Sequence, residues 1–322
     1  MSFAGRKWLR TCKLTMEVAP SSSGAGQLLT IPDGLTIEFT VTRQSLASTQ
    51  TAEFKIYGLG PINRDKVYKD QFDWTQYRTV QFEAGYPGIS AQIFKGTIFW
   101  AYSEKQKEEV VTTISAFDGG WPMLNGWSNL PANSGGLNSQ SAKAVIEQLG
   151  NTLPNILGPP VVGDFPAKNM RGEVISGNTW GLIKQKSGGN CAISDGIVYA
   201  LNPQEVLIGK EIVQLSSLNG ATPDPRIPLI NSDTGLLGAP RRSGTMVEWD
   251  MIFEPRLQLF QAVYIQSDFN KLFNGAYKVM GFRHHGIISK TVNGDCLTTA
   301  RFLWGKGSTF AEAVAGLSGA IT

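Results

Sequence analysis

The chain has 322 residues, 42% of them hydrophobic and only 17% charged, with a net charge of +3. That length suits two or three modest domains around a sizeable core. So small a positive excess, with no basic stripe and no nucleic-acid-binding motif, argues against sequence-specific nucleic-acid binding. The 36 Gly, 16 Pro and 10% aromatic residues fit many turns and short strands rather than long helices or disorder. Low charge is also the composition of surface that partners cover, since interface cores are depleted in charge and enriched in aromatics. Cys12, Cys191 and Cys296 are far apart and form no CxxC pair, which argues against a disulfide framework or a zinc site. They read as small buried hydrophobes in a reducing compartment. The N-terminus lacks an apolar signal core and no apolar run approaches membrane-spanning length, so synthesis and folding in the cytoplasm are expected.

The first 120 residues read as a β meander. Leu35, Ile37, Phe39 and Val41 alternate with Thr and Glu, and the same period of two marks Leu14/Met16/Val18, Ala52/Phe54/Ile56 and Val80/Phe82/Ala84. It returns in Phe94/Gly96/Ile98/Trp100 and from Val110 to Phe117. Six strands with one apolar face each need a closed or sandwiched core. Gly58–Pro61 breaks the pattern before a short helix over Ile62–Val67, and the charged run Ser103–Glu109 reads as a solvated hairpin loop. From Gly119 to about Gln204 the texture changes to a small α+β module. A helix carries Ala142, Val145, Ile146 and Leu149, with Ser139 or Ser141 as N-cap and Gly150 as stop. A second helix starts near Asn178 with Trp180 and Ile183 inward, and the hairpin Cys191–Tyr199 turns at Asp195-Gly196, a pair suited to a type I′ turn. After a Pro- and Ser-rich connection, strands return at Val247–Phe253, Val263–Ile265, Tyr277/Val279 and Leu297–Trp304. The expected domains are a β-barrel over 1–120, the α+β module over 121–205, a second β-barrel over 206–305, and a tail over 306–322.

Residues able to carry chemistry are sparse. His284 and His285 are adjacent, so on a strand they point to opposite faces and do not chelate one metal. There is no GxSxG elbow for a Ser-His-Asp triad. Ser187–Asn190 and Gly305–Ser308 lack the spacing of a phosphate loop and read as loops. Asp118, Asp164 and Glu173 are the carboxylates outside strands that a glycosidase pair would need, and they read as turn residues and solvated charges. The Trp residues at 74, 100, 121, 127, 180, 249 and 304 could line a carbohydrate groove, but most fall at inward positions and read as core. No catalytic group, metal site or cofactor is expected, and the chain reads as a structural protein rather than an enzyme.

Leu35–Arg43 followed by Ala52–Leu59 resembles the N-terminal barrel of phage tail baseplate hub proteins. The resemblance continues in Val80–Tyr86 (the aromatic strand and Ala-Gly-Tyr turn), Ile93–Ile98 (the Phe-x-Gly strand) and Ala116–Gly119. Later, Thr234–Pro240 is similar to the hub's Gly-Leu-x-Gly-x-Pro turn and Phe253–Leu257 to its Leu-x-Pro-x-Leu step. Gly275–Val279, His284–Gly286 and Leu297–Thr299 are similar to its Gly-x-Tyr-x-Val, His-x-Gly and Trp-x-Thr run. Two departures stand out: Leu259-Phe260 replaces the usual Pro-Gly, and Cys296-Leu297 replaces the Trp before the final Thr.

The resemblance implies a mainly β fold with a small α+β insert and two tail-tube-like barrels. Three copies would present six barrels, so that a homotrimer joins a hexameric tail tube to a trimeric central spike. Partners implied are further copies of the chain, the tube, the spike, and the tape measure or other baseplate proteins; the location implied is the virion's tail baseplate. No lysozyme-like or peptidase-like insertion is present. Residues expected at interfaces are Leu35, Tyr86, Phe94, Leu236, Leu237, Tyr277, Phe310 and Leu317. The competing readings are another tube-adaptor or distal-tail component of a phage or related injection machine, and a cell-wall-binding or peptidoglycan-hydrolysing tip protein.

Overall fold

A computed structural model describes residues 9–18, 27–32, 34–45, 49–73, 77–130, 141–165, 175–218, 224–243, 246–269, 271–292 and 294–304. The chain begins with β1 (Thr11–Val18), β2 (Gln27–Thr30), β3 (Ile37–Gln44), β4 (Gln50–Tyr57), the short helix α1 (Pro61–Val67), β5 (Thr79–Tyr86), β6 (Ile89–Gln106) and β7 (Glu109–Asp118). Period-two patterning places Phe39, Phe54, Phe82 and Phe94 on one face, where they form a fully buried aromatic cluster. Phe82 stands 5.0 Å from Phe39 and 4.9 Å from Phe54, ring centre to ring centre. Such pairs add roughly 0.5–1.5 kcal/mol each beyond the area they bury. The charged run expected to be a loop is instead ladder. Gln106 pairs with Glu109, and the turn is confined to the two residues between them, with Lys107 at φ 55°. Its side chains are exposed on a hairpin that projects beyond the core.

The insert comprises α2 (Gly120–Asn125), β8 (Trp127–Leu130), α3 (Ala142–Thr152), β9 (Val161–Val162), β10 (Ile175–Asn178), α4 (Thr179–Lys186), β11 (Cys191–Ser194) and β12 (Ile197–Ala200). Ser141 caps α3 by accepting the Ala144 N–H at 3.2 Å, and Asn178 caps α4 by accepting the Gly181 N–H at 2.8 Å. Helix α3 runs two residues past Gly150, the expected stop. There the absence of a side chain serves packing: a Cβ would lie 2.5 Å from the Pro160 ring.

The remaining strands are β13 (Glu205–Ile208), β14 (Glu211–Gln214), β15 (Leu229–Ile230), β16 (Leu236–Ser243), β17 (Met246–Ile252), β18 (Ala262–Ile265), β19 (Gly275–Ile288) and β20 (Cys296–Trp304). The expected turn at Thr234–Pro240 is a turn only at its start; from Leu236 it is strand β16, irregular between Leu237 and Arg241.

The two β regions share one sheet, in the order β16-β17-β20-β19-β3-β4-β7-β6-β5-β1-β2, with β18 and β15 branching from β19. Strand β19 is the joint. Its first half pairs with β18, its second half with β3, and β20 runs along nearly all of it. A bulge between Val279 and Gly281 shifts the inward register from odd to even numbers, so Tyr277 and Val279 before it and Phe282 after it all face the second core, and farther along the same face Ile288 enters the first. The first core also takes Phe253, Ile288 and Cys296 from beyond residue 250. Among the described residues no ladder joins β1 or β2 to β20 or β16, so in these residues the sheet is open at its β1–β2 edge. Phe253 fills the opening, and its carbonyl accepts the Tyr86 hydroxyl at 3.0 Å.

Candidate interaction surfaces

A buried ionic clasp fixes the insert to the first β region. Arg43 on β3 is 4% exposed and reaches the β11–β12 turn with two parallel hydrogen bonds of 2.8 Å to the Asp195 carboxylate. It also donates to Ser194 Oγ and, from two nitrogens, to the Ile93 carbonyl of β6. Asp118, at the end of β7, accepts the backbone N–H of Asp195 and that of Gly196 (3.3 Å). The turn has φ 53° at Asp195 and 74° at Gly196, the two left-handed residues of the expected type I′ hairpin. Burial, then the Asp195 charge, pushes the Asp118 carboxyl up to about 7, against Arg43 and the two amides. The expectation of a solvated turn residue is corrected here: Asp118 is a buried anchor. Asp164 is exposed and bonded to Lys143 at 3.3 Å, remote in role from Asp118, and Glu173 lies outside the described residues.

His284 and Lys278 are likewise buried and hydrogen-bonded. His284 is 1% exposed, and its Nδ1 lies 2.8 Å from Thr298 Oγ1. The same hydroxyl also accepts the Glu254 N–H at 3.0 Å. Burial, then the Arg43 and His285 charges, pushes His284 down to about 3. His285 lies on the opposite, partly exposed face, as adjacent strand residues must. Lys278 is fully buried, donating to the Asn202 carbonyl at 2.7 Å with its ammonium 5.1 Å from the Phe260 ring centre, and burial pushes it down to about 7. Phe260, which stands with Leu259 where the hub pattern has Pro-Gly, takes φ 64° there. Ser187–Asn190 closes α4: the Ser187 and Gly189 N–H groups bond the Ile183 and Lys184 carbonyls at 2.9 Å each.

The residues expected at interfaces divide sharply. Tyr86, Phe94 and Tyr277 are at most 2% exposed and belong to the protein's own cores, so they are corrected from interface to core. Period-two patterning marks an inward face without saying whether the cover is the chain itself or a partner. Leu35 and Leu236 are partly buried against the two cores, and Leu237 is 39% exposed. Phe310 and Leu317 lie outside the described residues. Sequence reasoning missed the apolar side chains that are most exposed: Phe269, Phe72, Ile62, Trp127 and Leu28. All five sit in loops, a short helix or short strands with no periodicity to flag them. Trp127 departs from the inward reading of the tryptophans, which Trp249 and Trp180 follow, and Trp74 lies outside the described residues.

No protein-family model and no curated protein sequence matches the chain. Solved structures do. A tail protein from Neisseria meningitidis MC58 superposes with a TM-score of 0.55 at 10% identity, over 91% of this chain and 96% of that one. The 43 kDa tail protein of prophage MuSo2 from Shewanella oneidensis gives 0.52 at 8% identity, over 90% and 97%. The fold is that of phage tail proteins. An E. coli component of the type VI secretion system, itself structurally similar to the T4 bacteriophage tail proteins gp27 and gp5, gives 0.52 at 8% identity, over 89% and 76%. The tail-protein fold thus spans both β regions and the insert, and the continuous sheet through β19 is the feature that unites them.

Proposed function

We propose that the protein is a structural hub of a phage tail baseplate, a homotrimer that joins the hexameric tail tube to the trimeric spike. The observation that carries this reading is the shared fold, which covers nine-tenths of the chain and nearly the whole of two tail proteins. Strand β19 supports it physically: one continuous sheet carries both β cores, so each copy offers two linked barrel-like units. Three copies then match a six-fold ring above and a three-fold partner below. The role is non-catalytic, in keeping with buried Arg43, Asp118, His284 and Lys278 each being hydrogen-bonded inside the protein. Exposed Phe72, Trp127, Phe269 and Leu237 supply apolar contact surface for neighbours. The likeness to a secretion-system component favours one second reading, the equivalent adaptor of a related injection machine.

The test is co-purification with the tube and spike proteins encoded beside it. A complex containing both, with three copies of this chain, is the expected result. Binding of neither would overturn the proposal, and glycan binding or cell-wall cleavage by the isolated chain would replace it with a tip-protein role.

A further inference from the structure

Cys12 and Cys296 stand near opposite ends of the sequence, yet both pack on the first core, Cys296 at 1% exposure and Cys12 partly buried. They lie on β1 and β20, which no ladder joins among the described residues. Strand β2 covers the second edge of β1 only from Thr15 onward, with one further bond from Ile31 to Leu14. Below Leu14 the crossing is made by side chains: the Arg10 guanidinium donates to the Gly294 carbonyl, two residues before each cysteine. The Cys296 carbonyl accepts the Phe253 N–H at 3.1 Å, and Phe253 in turn holds Tyr86 of β5, whose neighbour Ala84 is the ladder partner of Cys12. Cys12 is close enough for its charge to count among the causes that push the Cys296 thiol up to about 12, after burial itself.

From this arrangement we infer that Cys12 and Cys296 form a disulfide across the opening once the protein leaves a reducing compartment, locking β1 to β20. The compartment rests on the tail reading, because an assembled tail ends outside the cell; the pairing rests on the two side chains alone. With oxidised glutathione as oxidant, the Cys12 thiolate attacks one glutathione sulfur and expels one glutathione thiolate. Cys296 then loses its proton and attacks the Cys12 sulfur, expelling the second glutathione. Two protein thiols are oxidised and one glutathione disulfide is reduced to two thiols. The more exposed Cys12 reacts first, and the buried, high-pKa Cys296 makes the closing step slow and faster at alkaline pH.

The experiment incubates the reduced, folded full chain with excess oxidised glutathione, followed by intact mass and non-reducing peptide mapping. The expected product is lighter by two hydrogens, yields one peptide pair joining Cys12 to Cys296, and keeps Cys191 as a thiol. Wild-type mapping decides the matter even if Cys12→Ser or Cys296→Ser folds poorly. Recovery of both residues as alkylated thiols, or of Cys12 as a persistent glutathione adduct, would overturn the inference. A monomeric chain that nevertheless forms the bond would count against the hub reading and leave this one standing.

Discussion

Arg43 and Asp195 are joined by two parallel hydrogen bonds of 2.8 Å, across 152 residues of sequence and between two structural regions. The guanidinium is almost wholly buried while the carboxylate retains a third of its exposure, so the pair is an anchored rather than an isolated charge. Removing one partner strands the other. Arg43→Ala is expected to destabilise the chain by about 3–5 kcal/mol. Arg43→Lys keeps the charge but loses the fork that holds Asp195, Ser194 and Ile93 together, and recovers only part of that loss. Urea denaturation of the variants, with Asp195→Asn and the double variant completing the cycle, measures the coupling.

Asp118 gives the clasp a pH dependence of defined sign. Its folded pKa of about 7 lies above the ordinary 3.8, so between those values the folded state binds the extra proton. Its contribution therefore favours folding at pH 4 and fades as pH rises to 7. Asp118→Asn removes this slope. Subtracting the stability-versus-pH curve of Asp118→Asn from that of the wild type should leave a fall of up to about 4 kcal/mol over that window, at 1.36 kcal/mol per unit. A flat difference would mean that the carboxylate is ionised throughout, held by Arg43 and the two amides.

His284 runs the other way. Its folded pKa of about 3 lies below the ordinary 6.5, so the unfolded state binds the proton first and stability is lost as pH falls through that interval. Thr298→Val tests the geometry behind it: the loss of one hydroxyl leaves both His284 Nδ1 and the Glu254 N–H without their partner. A cost of about 1–3 kcal/mol at neutral pH is expected by thermal or urea melts.

Core and surface aromatics should separate cleanly. Tyr86→Phe deletes one buried hydrogen bond and should cost about 1 kcal/mol, and Tyr86→Ala about 3–5 kcal/mol. Phe269→Ser, at 84% exposure, should change the stability of the single chain by less than about 0.5 kcal/mol. Its expected effect is on assembly, read as weaker self-association by sedimentation.

Much of this fold was legible in the residues. The alternation of Leu35 to Val41 and of Val247 to Phe253 marked strands because one face meets a core, and Asp195-Gly196 marked its turn because few residues accept two left-handed conformations. What stayed hidden is long-range. Nothing local in Gly275–Ile288 says that one strand serves two cores; the bulge at Met280 falls where pairing on one edge passes from β18 to β3, strands from distant parts of the chain. The clasp was concealed for the same reason: Arg43 continues the inward register of Ile37, Phe39 and Val41, and the carboxylate that meets it is 152 residues away. Strand β16 was masked by Gly238 and Pro240, which strand interiors avoid but an edge tolerates. The interface residues were the poorest reading, because an inward face and a partner-covered face carry the same pattern.

The most direct test of the hub account is the solution mass of the purified protein by light scattering at tens of micromolar. The account predicts a particle three times the 35.0 kDa chain. A monomer that stays monomeric when the spike protein is added would contradict it.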